Sequence, residues 1–209
     1  AQRATIVQAF ADARDLALRS AAFLEERPED PHVARFFGNS PRKVLAEHYR
    51  IIAAGTERLS DLDLRCEDQR VCGNGGTFAY IMHPHGQRPR AVAGFCRSFF
   101  AANPTTGQDN RAGIVIHEVS HLVLDTRDAE YQPRAAQDLA KDEPNVAAMN
   151  ADNYEYFAEF MPRCHSRGVA ETAGSEQTAP APDPAVPSFV RGPRPSAGAQ
   201  RRGEVAPGR

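Results

Sequence analysis

Residues 112–124 read AGIVIHEVSHLVL and contain the pattern His-Glu-x-x-His at His117, Glu118 and His121. On an α-helix, residues four positions apart lie on one face with Cβ atoms about 5–6 Å apart, so both imidazoles can bind one metal ion. On a β-strand the same two residues would be roughly 13 Å apart, which is too far to share an ion. The flanking residues are almost all apolar. The segment therefore predicts a buried helix that carries two metal ligands.

The polar side chains of this helix have a simpler explanation, in which two core histidines and a buried glutamate only make hydrogen bonds. Burying three such groups in one apolar helix is costly unless each is paired, so a zinc site is the preferred interpretation. Catalytic zinc normally takes three protein ligands and a water molecule. A third histidine at the spacing His-x-x-Gly-x-x-His is excluded, because Leu124 and Arg127 occupy the required positions. Asp125, Asp128 and Glu143 remain as candidates, and spacing alone does not choose among them.

Helical and strand patterns surround this segment in three blocks. Apolar residues at helical spacing predict helices in the first third of the chain and again beyond residue 109, while strand-forming stretches lie between them. The predicted helices span residues 4–26, 31–37, 41–59, 109–124, 133–141 and 151–161, and the predicted strands span 62–66, 77–82 and 91–99. We therefore expect a mainly helical α+β fold with a small antiparallel sheet.

The composition of the 209 residues separates a folded part from a tail. With 41% hydrophobic residues, the chain can form the core of one domain. No run approaches 18 apolar residues, so no membrane span is expected, and a net charge of −2 argues against nucleic-acid binding. Residues 165–209 hold seven of the 16 prolines, six of the 15 glycines, six arginines and four acids. This composition predicts a disordered tail of charge +2 behind a domain, residues 1–164, of charge −4.

Four cysteines, Cys66, Cys72, Cys96 and Cys164, lie in the predicted domain. An even count favours two disulfides and an oxidising compartment, although three pairings are possible and buried reduced thiols are the alternative. The first residues lack the apolar run of a signal peptide, so an exported protein would be present here in processed form. We therefore expect a secreted protein.

Several segments carry a family resemblance. Residues 112–121, followed by Thr-Arg-Asp-Ala-Glu-Tyr at 126–131, resemble the aspzincins, the deuterolysin-type zinc endopeptidases, whose pattern after His-Glu-x-x-His is Gly-Thr-x-Asp-x-x-Tyr-Gly. Three stretches are similar to the peptidyl-Lys metalloendopeptidase branch of that family: GTFAY at 76–80, PTTG at 104–107 and MNADNYEYF at 149–157. The resemblance covers residues 1–160 and implies a zincin-like metalloprotease fold for the domain.

The resemblance also assigns roles to individual residues. It implies that one zinc ion is bound by His117, His121 and Asp128. It makes Glu118 the general base that activates the attacking water, and Tyr131 the donor of a hydrogen bond to the developing oxyanion. For Tyr131 alone, an ordinary half-buried tyrosine is the alternative interpretation.

Asp152 and Glu155 are three residues apart, so they are neighbours on one face of a helix. Like charges in this arrangement favour a cation between them, although a solvated helix start with Asp152 near its cap is the alternative. The resemblance implies that the pair holds the substrate lysine.

The expected function is a monomeric, secreted zinc endopeptidase that cleaves proteins and peptides on the N-terminal side of lysine. The alternatives are a broad-specificity deuterolysin-like protease, a protease with Glu143 as third ligand, and a non-catalytic zinc-stabilised binding module.

The sequence departs from the family pattern at two glycines. Asp125 stands in place of the glycine before the threonine, and Gln132 replaces the glycine after the tyrosine. A non-glycine residue in this turn can strain the backbone, and Asp125 is then the fallback ligand. The resemblance further implies a disulfide between Cys72 and Cys96, which leaves Cys66 and Cys164 as the second pair.

Overall fold

A computed structural model of the chain describes residues 1–73, 75–84 and 90–162. The predicted disordered tail, residues 165–209, lies outside the described residues, and so does Cys164, the expected partner of Cys66. Within the described residues, no helix is long and apolar enough to cross a membrane.

The described elements confirm the α+β class, with helices before and after three short strands. The helices are α1 (Gln2–Glu26), α2 (Pro31–Phe37), α3 (Arg42–Thr56), α4 (Gln69–Cys72), α5 (Arg97–Ala101), α6 (Arg111–Leu124), α7 (Pro133–Asp142), α8 (Pro144–Ala147) and α9 (Ala151–Glu159), and a 3-10 turn covers Leu59–Asp61. The strands are β1 (Asp63–Cys66), β2 (Ala79–Met82) and β3 (Val92–Phe95).

The sheet is mixed, so the predicted antiparallel arrangement is correct for only one of its two pairings. The strand order is β1-β3-β2, with β2 antiparallel and β1 parallel to the central β3. The chain reverses direction between β1 and β2 and again between β2 and β3, so β3 runs the same way as β1. Because β3 is inserted between the other two strands, the first pairing is parallel. Every residue of β3 is buried.

The Cys72–Cys96 disulfide ties the end of α4 to the residue that follows β3. The two Cα atoms are 5.3 Å apart, a separation typical of a disulfide. This pairing confirms the one implied by the family resemblance. Cys66, at the end of β1, is an exposed free thiol among the described residues.

Helix α6 occupies the centre of the domain, where α1, α3, α9 and β2 pack against it. Ile114, Val115 and Ile116 are 1% exposed or less and belong to the continuous core, against which the partly buried apolar residues at the C-terminal end of α6 also pack. The helix begins at Asn110, whose side-chain oxygen accepts a hydrogen bond from the Gly113 N–H at 3.0 Å. This packing fixes the orientation of the polar residues that α6 carries.

Helix α9 packs closely on the N-terminal half of α6. A Cβ atom on Gly113 would lie 2.2 Å from the Glu159 carboxylate, so the glycine lets this side chain lie directly against α6. Along the contact, α9 presents Asp152 and Glu155 to α6, each 1% exposed or less. The close helix pair therefore brings acidic side chains of α9 to the face of α6 that carries the histidines.

Candidate active site

The two motif histidines and Asp128 converge on one point. The Nε2 atoms of His117 and His121 are 3.2 Å apart, and Asp128 Oδ1 lies 3.1 Å from the first and 3.2 Å from the second. A tetrahedral zinc ion about 2.0–2.1 Å from each ligand requires ligand atoms about 3.3–3.4 Å apart. The three donors, two imidazole nitrogens and one carboxylate oxygen, therefore fit a zinc ion that keeps one coordination position open.

The ring of His121 is held in the orientation that a metal ligand needs. Its Nδ1 lies 2.8 Å from the carbonyl oxygen of Thr126, which can only accept a hydrogen bond. Nδ1 therefore donates its hydrogen to Thr126, which leaves Nε2, on the side of Asp128 and His117, as the nitrogen that can bind a metal ion. The Thr126 hydroxyl lies 2.7 Å from that of Ser120, which fixes the turn after α6. Sequence reasoning did not identify Ser120 or Thr126 as supports of the site.

The opposite side of His117 meets the acidic pair of α9. His117 Nδ1 lies 2.9 Å from Asp152 Oδ1 and 3.1 Å from Glu155 Oε2, and all three side chains are buried. Carboxylates behind a ligating histidine orient its ring and increase its basicity. The other Asp152 oxygen, Oδ2, accepts a hydrogen bond from the Gln132 N–H at 2.8 Å. Asp152 thus links a histidine of α6 to the loop that carries Asp128.

The histidines also determine the charge of Asp128. Burial alone would raise the pKa of this carboxyl, but hydrogen bonds and charge interactions with His117 and His121 outweigh burial and hold the pKa well below its usual range. Asp128 is therefore an anion, the form in which a carboxylate binds a metal ion.

Glu159 is a third acid on α9, half-buried, and sequence reasoning missed it. Its side chain accepts hydrogen bonds from the backbone N–H groups of Asp109 and Asn110, just before α6. Burial, with a further contribution from the Glu155 carboxylate, raises the pKa of Glu159 to about 10, so it is protonated at neutral pH. Its position four residues after Glu155 on the same face was the available signal.

The remaining predicted site residues differ in how far they are exposed and in whether they lie near the histidines. Glu118 is 5% exposed and follows His117 on α6, and Tyr131 is half-buried at the end of the loop that carries Asp128. Asp125 is exposed and ends α6, while Glu143 is exposed between α7 and α8. Among the residues that the structure describes, neither belongs to a group of potential metal ligands, whereas Asp128 does.

Both departures from the family's glycines occupy left-handed backbone conformations. Asp125 has φ 56° and ψ 36°, a region that aspartate tolerates, whereas Gln132 has φ 77° and ψ 149°, a region that strongly favours glycine. In this conformation the Gln132 N–H donates its hydrogen bond to Asp152. Replacing Gln132 with Gly should therefore relieve strain and raise the melting temperature by about 2–4 °C.

Calorimetry of the Q132G variant checks this expectation, with Gln132→Ala as the matched control. Alanine removes the same side chain but keeps a Cβ atom, so its melting temperature should not rise. An equal rise in both variants would show that the side chain, and not the backbone conformation, destabilises the wild-type protein.

A buried helix with His-Glu-x-x-His and an aspartate beside both histidines form a group that could hold a metal ion, as in the zincin class of metalloproteases. The family model for aspzincins, described as lysine-specific metallo-endopeptidase, matches residues 23–159. The chain belongs to this aspzincin family.

The relatives and one solved structure agree with this assignment. A Grifola frondosa protein named peptidyl-Lys metalloendopeptidase is 32% identical over 167 residues, which cover 77% of this chain and 45% of that protein. An Aeromonas hydrophila extracellular protease is 43% identical over 86 residues, 40% of this chain and 24% of that protein. The structure of a zinc peptidase from Grifola frondosa superposes with a TM-score of 0.57 at 29% identity, covering 76% of this chain and 94% of that one. This chain thus spans less than half the length of the Grifola frondosa metalloendopeptidase and of the Aeromonas hydrophila protease.

Proposed function

We propose that this chain is a secreted zinc endopeptidase that hydrolyses peptide bonds on the N-terminal side of lysine. The convergence of His117, His121 and Asp128 within 3.1–3.2 Å, beside Glu118 on the same helix, is the observation that carries the proposal. The names of the Grifola frondosa and Armillaria mellea relatives, both peptidyl-Lys metalloendopeptidases, support the lysine preference.

In this proposal His117, His121 and Asp128 hold a single zinc ion. When bound, zinc supplies Lewis-acid polarisation of the scissile carbonyl and of the attacking water. The chain contributes the fixed positions of its ligands. Thr126 orients His121 through its carbonyl oxygen, and Asp152 and Glu155 orient His117 from behind.

Glu118 and Tyr131 carry out the remaining chemistry. The Glu118 carboxylate takes a proton from water as the water oxygen bonds to the carbonyl carbon, and returns that proton to the leaving nitrogen as the C–N bond breaks. Tyr131 donates a hydrogen bond to the carbonyl oxygen as it gains negative charge. The supporting observations are that Glu118 directly follows a proposed ligand and that Tyr131 lies three residues after another.

Asp152 and Glu155 are proposed to recognise the lysine of the substrate. Both carboxylates are buried and lie within 3.1 Å of His117 Nδ1, so they are close to each other as well. Two buried carboxylates at one point favour a cationic side chain, and lysine carries three N–H donors. The protonated Glu159 extends the acidic face of α9 without adding charge to it.

Secretion and a monomeric state complete the proposal. The Cys72–Cys96 disulfide is typical of proteins from oxidising compartments, and the Aeromonas hydrophila relative is named an extracellular protease. The substrates would be proteins or peptides that contain lysine.

Replacing Asp128 with Ala tests the ligand set. We expect this variant to lose stoichiometric zinc after dialysis, because two histidines alone hold zinc weakly, and to lose peptidase activity with it. Elemental analysis of the dialysed protein measures the zinc content.

The matched controls are Asp125→Ala and Glu143→Ala, which remove the two alternative carboxylates. Both variants should keep one zinc ion per chain. Loss of zinc from either control, together with its retention in the Asp128 variant, would assign the third ligand to that other residue and refute the proposed site.

A further inference from the structure

The loop that carries Asp128 and Tyr131, residues 125–132, lies along the segment that leads into α9. The Arg127 N–H donates to the Met149 carbonyl oxygen at 2.8 Å, and the Ala151 N–H donates to the Arg127 carbonyl oxygen at 3.0 Å. These two bonds fix the residue immediately before Asp128. Asn150 lies between Met149 and Ala151, and its side chain faces the loop.

The Asn150 side chain fixes the residues immediately after Asp128. Its Oδ1 accepts hydrogen bonds from the backbone N–H groups of Ala129 at 2.8 Å and Glu130 at 3.2 Å. Its Nδ2 donates to the Glu130 carbonyl oxygen at 3.1 Å. The residue is completely buried. The Asn150 amide therefore continues, beyond Asp128, the hydrogen bonding that the backbone provides at Arg127.

Asn153 determines the orientation of that amide. Asn153 Nδ2 donates to the carbonyl oxygens of Phe36 at 2.5 Å and Ala136 at 2.8 Å, so its Oδ1 must face Asn150. At 2.7 Å, this oxygen accepts a hydrogen bond from Asn150 Nδ2. The Asn150 oxygen is consequently directed to the loop. Only an amide supplies both the acceptor and the donors that these positions require.

We infer that Asn150 is the positioning residue that holds Asp128, the proposed third metal ligand, and Tyr131 in place beside the two histidines. It acts through the backbone on both sides of Asp128 and does not itself reach the metal position. The inference rests on the proposed function, because it presumes that Asp128 binds the metal ion. Removing the Asn150 amide should release Ala129 and Glu130 and leave the carboxylate free to move away from the histidines.

The test measures the zinc dissociation constant of the full chain by competition with a chromophoric chelator. We expect Asn150→Ala to weaken zinc binding by about 10- to 100-fold, the range typical of lost support behind metal ligands. Thermal unfolding of the metal-free proteins, measured in parallel, reports the general loss of stability.

Asn110→Ala is the control, because Asn110 is also buried and its side-chain amide also both accepts from and donates to backbone groups, at the opposite end of α6. This variant should unfold at a lower temperature and keep the wild-type zinc affinity. Unchanged zinc affinity in the Asn150 variant, or an equal loss in both variants, would overturn the inference.

Asp128→Ala, measured in the same series, separates this inference from the proposed function. If the Asp128 variant binds zinc as tightly as the wild type, the proposed ligand set is wrong. If that variant loses affinity and the Asn150 variant does not, only the role of Asn150 is wrong.

Amide hydrogen exchange of the wild-type, metal-free protein provides a second measurement should the Asn150 variant not fold. The N–H groups of Ala129 and Glu130 should exchange at least tenfold more slowly than the N–H of the exposed Asp125 in the same loop. Equal exchange rates would show that Asn150 does not hold the loop, and would overturn the inference.

Discussion

Replacing Glu118 with Gln is expected to lower kcat for peptide hydrolysis by about 10²- to 10⁴-fold, because glutamine cannot accept the proton of the attacking water. Glutamine has nearly the same size and is tolerated at a position that is 5% exposed, so the fold should be kept. The proposed zinc ligands are untouched, and the variant should retain one zinc ion per chain. Initial rates with a quenched fluorescent peptide, together with elemental analysis, measure both quantities.

Glu130→Gln is the control for this substitution, since it makes the same chemical change at an exposed side chain two residues from Asp128. It should leave kcat within about twofold of wild type, as expected for a surface site. Full activity in the Glu118 variant would require a different base. If wild type and the Glu118 variant both lack peptidase activity but share the same biological effect, the non-catalytic binding module becomes the better account.

The second large effect concerns the acids of α9. Replacing Asp152 with Asn should lower kcat/KM for a substrate with lysine after the scissile bond by at least 100-fold, because one partner of a buried charge pair is lost. A matched substrate with methionine at that position should be affected much less. The ratio of the two kcat/KM values is the relevant measurement, because Asp152 also supports His117 and any effect on the metal site lowers both values.

Two further variants separate charge recognition from general damage. Glu155→Gln should also reduce the preference for lysine, while keeping the bond between Asp152 and the Gln132 N–H. Glu159→Gln should leave the preference unchanged, because the raised pKa of Glu159 means that its neutral form already predominates at neutral pH. A preference for lysine that survives both the Asp152 and the Glu155 substitution would place the lysine-binding site elsewhere.

The parts of the site that depend on local geometry could be predicted from the sequence. The four-residue spacing of His117 and His121 works only on a helix, and α6 ends at Leu124 as the pattern indicated. The choice of Asp128 over Asp125 and Glu143 came from the family resemblance and not from spacing. The structure brings Asp128 to the histidines because the chain turns sharply at Asp125, whose left-handed conformation no periodicity reveals.

Contacts between distant segments could not be predicted in the same way. The sequence placed Asp152 and Glu155 on one helical face, but their approach to His117 depends on how α9 packs against α6 at Gly113. Asn150 was missed because its partners lie about twenty residues earlier in the chain. The parallel pairing of β1 with β3 was missed for a similar reason, since strand order depends on tertiary packing and not on strand propensity.

Mass spectrometry of the peptides released from a denatured protein tests the central claim most directly. Digestion should produce new N-termini that are overwhelmingly lysine, and a zinc chelator should stop the digestion until zinc is restored. New N-termini with mixed apolar residues would contradict the lysine specificity and indicate a broad deuterolysin-like protease. Digestion that continues unchanged in the chelator would contradict the zinc mechanism itself.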